Sequence, residues 1–282
     1  MQREKWKDFR LYVITAEANH PGRSLVDVME RTLIGGAQIV QLRNKTGSRA
    51  EVLEQARSLR ALTRKYGVPF IINDYPDIVL ETDADGVHLG QEDLPIGEAR
   101  RLLGPDRMIG ISTHSLDQAL KAEREGADYI GVGPVYPTDT KPGRKAVTTS
   151  YVTEAARHVT IPFVAIGGIT LGNVDRVLDA GARRICAVSA IVGSEDPAAA
   201  CRSFLSRIEA ADAAQAAKTI TVNGREERTT AATVEELVRQ LGQQNKQLVV
   251  ELDGLIVQRA LWAGTELKDG ASVELVHFVG GG

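Results

Sequence analysis

The chain has 282 residues, 43% of them hydrophobic, and carries 34 basic against 37 acidic side chains, a length that suits one large α/β domain or two unequal ones. The balance stays near neutral throughout, with 27 basic against 28 acidic residues up to Ala217 and 7 against 9 from Lys218. No stretch is basic enough for a nucleic-acid surface, and no apolar run approaches the ~18 residues of a membrane span. The start, "MQREKWKDFR", is charged rather than apolar, so neither nucleic acid nor membrane is expected as a partner and the expected compartment is the cytoplasm. Cys186 and Cys201 lack CxxC spacing, which argues against a disulfide framework and a zinc site.

From Leu11 to about Arg207, short apolar runs alternate with amphipathic stretches, the rhythm of a parallel sheet with crossover helices. The predicted strands, in order, are "LYVIT", "AQIVQLR", "PFIIND", "DGVHLG", "MIGIS", "DYIGVGPV", "PFVAIGG" and "RICAVSA". Between the second and third, Val52, Leu53, Ala56, Leu59 and Leu62 form the apolar stripe of a helix that Gly67 can cap. Eight such units predict an α/β fold, a closed (β/α)8 TIM barrel over residues 1–211, with a doubly wound open sheet as the alternative. Residues 212–217 are an alanine-rich connector expected to prolong the last helix. From Lys218 the rhythm changes. A hairpin turning at Asn223 and Gly224, a short helix entered through Thr233 with Glu236 three residues on, and later strands predict a small α+β, ubiquitin-like β-grasp module over 218–282.

In such a barrel the chemistry belongs just past the C-terminal ends of the strands. There the second strand offers Gln41, Arg43 and Lys45 on alternate positions, an amide and two cations suited to a polyanion. Asn73, Asp74 and Asp93 follow the third and fourth strands with hard oxygen donors of the kind that hold a partly hydrated Mg2+ against phosphate. Ser112, Thr113 and His114 end the fifth strand, and the loop "GPVYPTDTKPGR" carries Thr138, Thr140 and Lys141, able to close over an anion. After the seventh and eighth strands, Gly167, Gly168, Val188 and Ser189 offer backbone N–H groups for a monophosphate.

In order, the motifs "QLRNK", "IINDY", "GVHLGQED", "GISTHS", "GPVYPTDTK", "AIGGI" and "VSAI" closely resemble thiamine phosphate synthase. The resemblance implies that 4-amino-2-methyl-5-hydroxymethylpyrimidine diphosphate and a thiazole phosphate are joined, with diphosphate released. It implies that Arg43, Lys45, Asn73 and Lys141 bind the diphosphate, with Arg43, Lys45 and Lys141 stabilising the departing charge, and that Asp74 and Asp93 hold Mg2+. Gln41 and Ser112 would orient the pyrimidine, while Thr138, Thr140, Gly168, Val188 and Ser189 line the thiazole phosphate site. The alternative is a thiazole tautomerase, which shares the barrel and uses a histidine like His114, but leaves the diphosphate and metal residues without a task.

The end of the chain, "VHFVGGG", resembles the sulfur carrier protein of thiamine biosynthesis. That implies adenylation of the Gly282 carboxylate by an E1-like adenylyltransferase, conversion to a thiocarboxylate, and delivery of sulfur to thiazole synthase. The thin glycine tail can thread a narrow channel, and with nothing beyond Gly282 no trimming is expected. A non-carrier β-grasp interaction module and a carrier for molybdopterin synthesis are the alternatives. Oligomeric state is open, a homo-oligomer included.

Overall fold

The computed structural model describes residue 6, residues 8–138 and residues 146–277. Thr140, Lys141 and Gly282 therefore lie outside the described residues. The chain divides into two compact units, Met1–Glu209 and Ala210–Gly282.

In the first unit eight parallel strands close into a barrel in sequence order. They are β1 (Leu11–Ile14), β2 (Ile39–Leu42), β3 (Phe70–Asn73), β4 (Gly86–Leu89), β5 (Met108–Thr113), β6 (Tyr129–Val132), β7 (Phe163–Ile166) and β8 (Ile185–Cys186). The open-sheet alternative is excluded, because β8 pairs with β1 through Leu11 and Ile185. The strands are short, so Arg43, Lys45 and Asp74 fall just beyond them on the loops. Helices α1 (Leu25–Ile34), α2 (Arg49–Tyr66), α3 (Pro76–Thr82), α4 (Ile96–Leu103), α5 (Leu116–Arg124), α6 (Thr148–His158), α7 (Val174–Asp179) and α8 (Ser189–Val192) follow the strands in turn. Helix α9 (Pro197–Ala216) begins in the first unit and ends in the second, and its last turns carry the alanine-rich segment as helix.

Local chemistry accounts for α2. Ser48 and Glu51 form a reciprocal capping box at its start, worth about 1 kcal/mol. Gly67, left-handed at φ 66°, ends it. Val52, Ala56, Leu59 and Leu62 are buried, while Leu53 is only half-buried at the edge of the stripe. Inside the barrel Tyr12, Ile14, Ile39, Ile71, Met108, Tyr129, Val164 and Cys186 pack together, with Phe9 beneath.

The second unit is a five-stranded sheet in the order β10-β9-β13-β11-β12. Its strands are β9 (Lys218–Val222), β10 (Arg225–Thr229), β11 (Leu248–Leu252), β12 (Leu255–Val257) and β13 (Ser272–His277). The first and last of these run parallel at the centre, as a β-grasp fold requires. Asn223 and Gly224, at φ 48° and 74°, make the tight turn of the opening hairpin. Helix α10 (Val234–Gln240) is capped by Thr233, whose hydroxyl accepts from Glu236 N–H, while the Glu236 carboxylate accepts from Ala232 N–H. Val234, Leu237, Trp262, Leu267 and Val273 form its core. Among the described residues, no helix is long and apolar enough to cross a membrane.

Candidate active site

The parallel barrel brings the C-terminal ends of β2, β3 and β4 side by side. Thr15 fixes the exit of β2: its hydroxyl accepts from Arg43 N–H at 2.9 Å and donates to Arg43 O at 3.2 Å. The loop then turns on Asn44, whose Oδ1 accepts from the N–H groups of Thr46 and Gly47. This brings Lys45 Nζ to 2.8 Å from Asp74 Oδ2. Asp74 leaves β3 with a left-handed φ of 66°, a conformation that aspartate tolerates better than most residues. Asp93 reaches back along its own loop to accept from Gly90 N–H at 2.6 Å and lines the same cavity as Asp74.

Burial pushes the Asp74 carboxyl above its ordinary pKa, Lys45 pulls it down, and the neighbouring Asp93 pushes it up again. Burial lowers the pKa of the Arg43 guanidinium, and the Asp74 charge partly restores it. The Arg43 Nε is buried without a hydrogen-bond partner. Arg43, Lys45, Asn73, Asp74, Asp93 and Ser112 line one cavity of about 230 Å³. Two carboxylates beside two basic side chains in one recess suit a divalent cation and an anion bound together. No group of three His, Cys, Asp or Glu side chains converges among the described residues, so a cation held here would need water and the anion to complete its shell.

Deeper in the barrel a second recess of about 80 Å³ is lined by Tyr12, Gln41, Arg43, Asn73, His88, Ser112, His114 and Tyr129, among others. Five of these side chains form a line of hydrogen bonds. Gln41 Nε2 donates to Tyr12 Oη at 2.7 Å, and the Tyr12 and Tyr129 hydroxyls are hydrogen-bonded at 2.9 Å. His88 Nδ1 lies 3.0 Å from Tyr129 Oη, and His88 Nε2 lies 2.9 Å from Ser112 Oγ. Gly110 makes room for this line, since a Cβ there would sit 2.1 Å from Tyr129 Cζ. Gln91 steadies Ser112 by donating to its backbone oxygen at 2.7 Å. His114 Nδ1 is hydrogen-bonded to Gly133 O. Sequence reasoning singled out the two ends, Gln41 and Ser112, and missed Tyr12, His88 and Tyr129. The available signal was alternation: a histidine between Gly86 and Gly90 in an apolar strand faces either the barrel interior or the helices.

Thr138, Gly168 and Ser189 line a third, larger cleft of about 1080 Å³, which Arg43 and Lys45 also border. Arg43 is thus common to all three spaces. Gly168 has φ 62°, and a Cβ there would approach Pro137 O to 2.5 Å, so both conformation and space demand glycine. Asn173, another residue that sequence reasoning missed, brackets this loop by donating to Gly168 O and accepting from Thr170 N–H. Val188 does not line the cleft. It packs half-buried against the Tyr12 cluster as the residue before α8, leaving only its backbone to face a ligand.

Residues 11–191 match the family described as thiamine monophosphate synthase, and residues 216–282 match the ThiS family. Thiamine-phosphate synthase of Shouchella clausii is 55% identical over 206 residues, which cover 73% of this chain and 99% of that protein. The protein of the same name from Halalkalibacterium halodurans is 55% identical over 204 residues, covering 72% and 97%. Among solved structures, thiamine phosphate pyrophosphorylase from Pyrococcus furiosus superimposes with a TM-score of 0.67 at 38% identity, covering 73% of this chain and 98% of that one.

Proposed function

Because the chain belongs to the thiamine monophosphate synthase family, we propose that its barrel joins 4-amino-2-methyl-5-hydroxymethylpyrimidine diphosphate to a thiazole phosphate in the three spaces that Arg43 borders. The barrel is a transferase of thiamine biosynthesis, a thiamine phosphate synthase. In the reaction, the bond between the pyrimidine's exocyclic methylene carbon and the diphosphate oxygen breaks, and that carbon bonds to the thiazole nitrogen. The electron-rich aminopyrimidine can carry positive charge on that carbon, so diphosphate leaves before the thiazole attacks and no protein nucleophile is needed. What the protein supplies is charge for the leaving group and alignment of the two partners.

The observation that carries this reading is the recess lined by Arg43, Lys45, Asn73, Asp74 and Asp93, where two basic side chains meet two carboxylates and Lys45 Nζ lies 2.8 Å from Asp74 Oδ2. Asp74 and Asp93 would hold Mg2+, which when bound supplies positive charge against the diphosphate. Arg43 and Lys45 bind the diphosphate oxygens, with Asn73 beside them. Lys141, which lies outside the described residues, joins this set on the strength of the family resemblance. Gln41 and Ser112 orient the pyrimidine over the barrel interior. The thiazole phosphate lies along Thr138, Gly168 and Ser189, with Thr140 and the Val188 backbone contributing. Incubating the protein with both substrates and Mg2+ tests the reaction: thiamine phosphate and diphosphate form in equal amounts. Isomerisation of the thiazole without diphosphate release would instead establish the tautomerase reading, with His114 as its proton carrier.

The second unit belongs to the ThiS family, and we infer that it carries sulfur as a Gly282 thiocarboxylate. Its partners are then an E1-like adenylyltransferase and thiazole synthase. Intact mass spectrometry after incubation with ATP, the activating enzyme and a sulfur source reads this out. The expected result is a gain equal to one oxygen replaced by sulfur; an unchanged mass beside an active barrel makes the unit an interaction module.

A further inference from the structure

The line of five polar side chains inside the barrel has a direction. Gln41 Nε2 donates to the Tyr12 oxygen. Tyr12 must therefore place its own proton elsewhere, and its neighbour is the Tyr129 oxygen at 2.9 Å. Having accepted that proton, Tyr129 passes its own toward His88 Nδ1 at 3.0 Å. Nδ1 is then the acceptor, so the proton of the neutral imidazole sits on Nε2. From there it points to Ser112 Oγ at 2.9 Å. Burial holds both phenols above their ordinary pKa, so each keeps the proton that the chain requires.

We propose that Tyr12, Tyr129 and His88 are positioning residues: by occupying Ser112 Oγ with a donor from the barrel interior, they turn the serine's own proton outward, toward an acceptor nitrogen on the ring of a bound aromatic heterocycle. This deepens the proposed function and rests on it, since the heterocycle is the pyrimidine of the diphosphate substrate. The chain makes Ser112 a donor, so the ring edge facing it must accept. A ring nitrogen bearing a proton at that edge meets a second donor and is turned away. The amide at one end of the line thereby sets the hydrogen-bond sense at the other, across four intervening bonds and without a charged group in the series. Gly110 belongs to the same device, because any side chain there would displace the Tyr129 ring.

Nitrogen-15 NMR of the full-length protein, labelled in histidine and assigned with a His88→Gln variant, tests the direction without substrate. His88 is expected as the neutral tautomer protonated on Nε2. The Nδ1-protonated tautomer would mean the chain runs the other way, with Ser112 donating inward, and overturns the proposal. A second measurement tests the consequence with Tyr129→Phe, Ser112→Ala and the double variant, assayed with the pyrimidine diphosphate and thiazole phosphate. Tyr129→Phe should raise KM for the pyrimidine diphosphate about three- to tenfold, the loss of one hydrogen bond, with KM for the thiazole phosphate unchanged. It should add little in the Ser112→Ala background, because the two act through one contact. Full additivity, or an equal rise in both KM values, would make Tyr129 a packing residue only and also overturn the proposal. If the unaltered protein forms no thiamine phosphate, the functional reading fails, while the tautomer still decides the direction of the chain.

Discussion

Asp74 is a carboxylate held against its own preferences. Its backbone is left-handed at φ 66°, and its side chain is four-fifths buried beside a second acid. Its folded pKa is raised, so the folded chain binds this proton more readily than the unfolded one. The stability it contributes is present at low pH and is lost as pH rises through the folded value. At pH 7, Asp74→Asn removes that penalty, keeps the left-handed turn and gives up only the pair with the half-exposed Lys45. Calorimetry should show Tm raised by about 1–3 °C. The same variant should lose at least about 100-fold in diphosphate release, because the site gives up one of the two carboxylates proposed to hold the Mg2+ that offsets the leaving group's charge. A lowered Tm would show that the Lys45 pair outweighs the burial. Gly168→Ala meets the opposite situation, a Cβ pressed to 2.5 Å from Pro137 O at positive φ. It should cost about 1–3 kcal/mol in denaturant titrations and raise KM for the thiazole phosphate more than that for the pyrimidine diphosphate. Asp74, Asp93 and Gln41 were legible in the sequence because parallel strands gather their C-terminal ends at one mouth. Tyr12, His88 and Tyr129 were not, because which inward side chains touch depends on the stagger of neighbouring strands around the closed barrel.

At the opposite end of the barrel a two-strand repeat holds the elements in register. The residue before each of β2, β4 and β6 captures an N–H at the start of the strand before it. Gln38 Oε1 accepts from Leu11 N–H at 3.2 Å, Asp85 from Phe70 N–H at 2.7 Å and Asp128 from Ile109 N–H at 2.8 Å. The two aspartates also anchor helices: Asp85 pairs with Arg60 of α2, and Asp128 with Arg100 of α4. Asp85→Ala strands the Phe70 N–H and leaves Arg60, whose Nε already lacks a partner, short of its closest anion. The expected loss is roughly 2–4 kcal/mol in chemical denaturation with kcat and KM unchanged, since Asp85 precedes β4 and the site lies beyond it. A fall in kcat at preserved stability would show that this end of the barrel communicates with the mouth. The rhythm of strands and helices was legible from apolar periodicity, and the α10 start from Thr233 and Glu236. The staples were not, because an aspartate before a strand looks in sequence like an ordinary loop residue.

On the scale of the whole molecule, each unit has its own buried core, one inside the barrel and one between α10 and the small sheet. The expected consequence is two unfolding transitions in calorimetry, with Asp85→Ala lowering the barrel's alone; a shift in both would show the units unfolding together. The change of rhythm near Lys218 made two folds legible, whereas the pairing order of the second sheet needed its long-range contacts. The proposed synthase reaction turns on the recess of Arg43, Lys45, Asp74 and Asp93 in the barrel. Isothermal titration of inorganic diphosphate into the full-length protein, with Mg2+ and with chelator, tests that recess most directly. The account predicts one diphosphate bound per chain in the presence of Mg2+ and at least about tenfold weaker binding without it. Equal affinity under both conditions would contradict it.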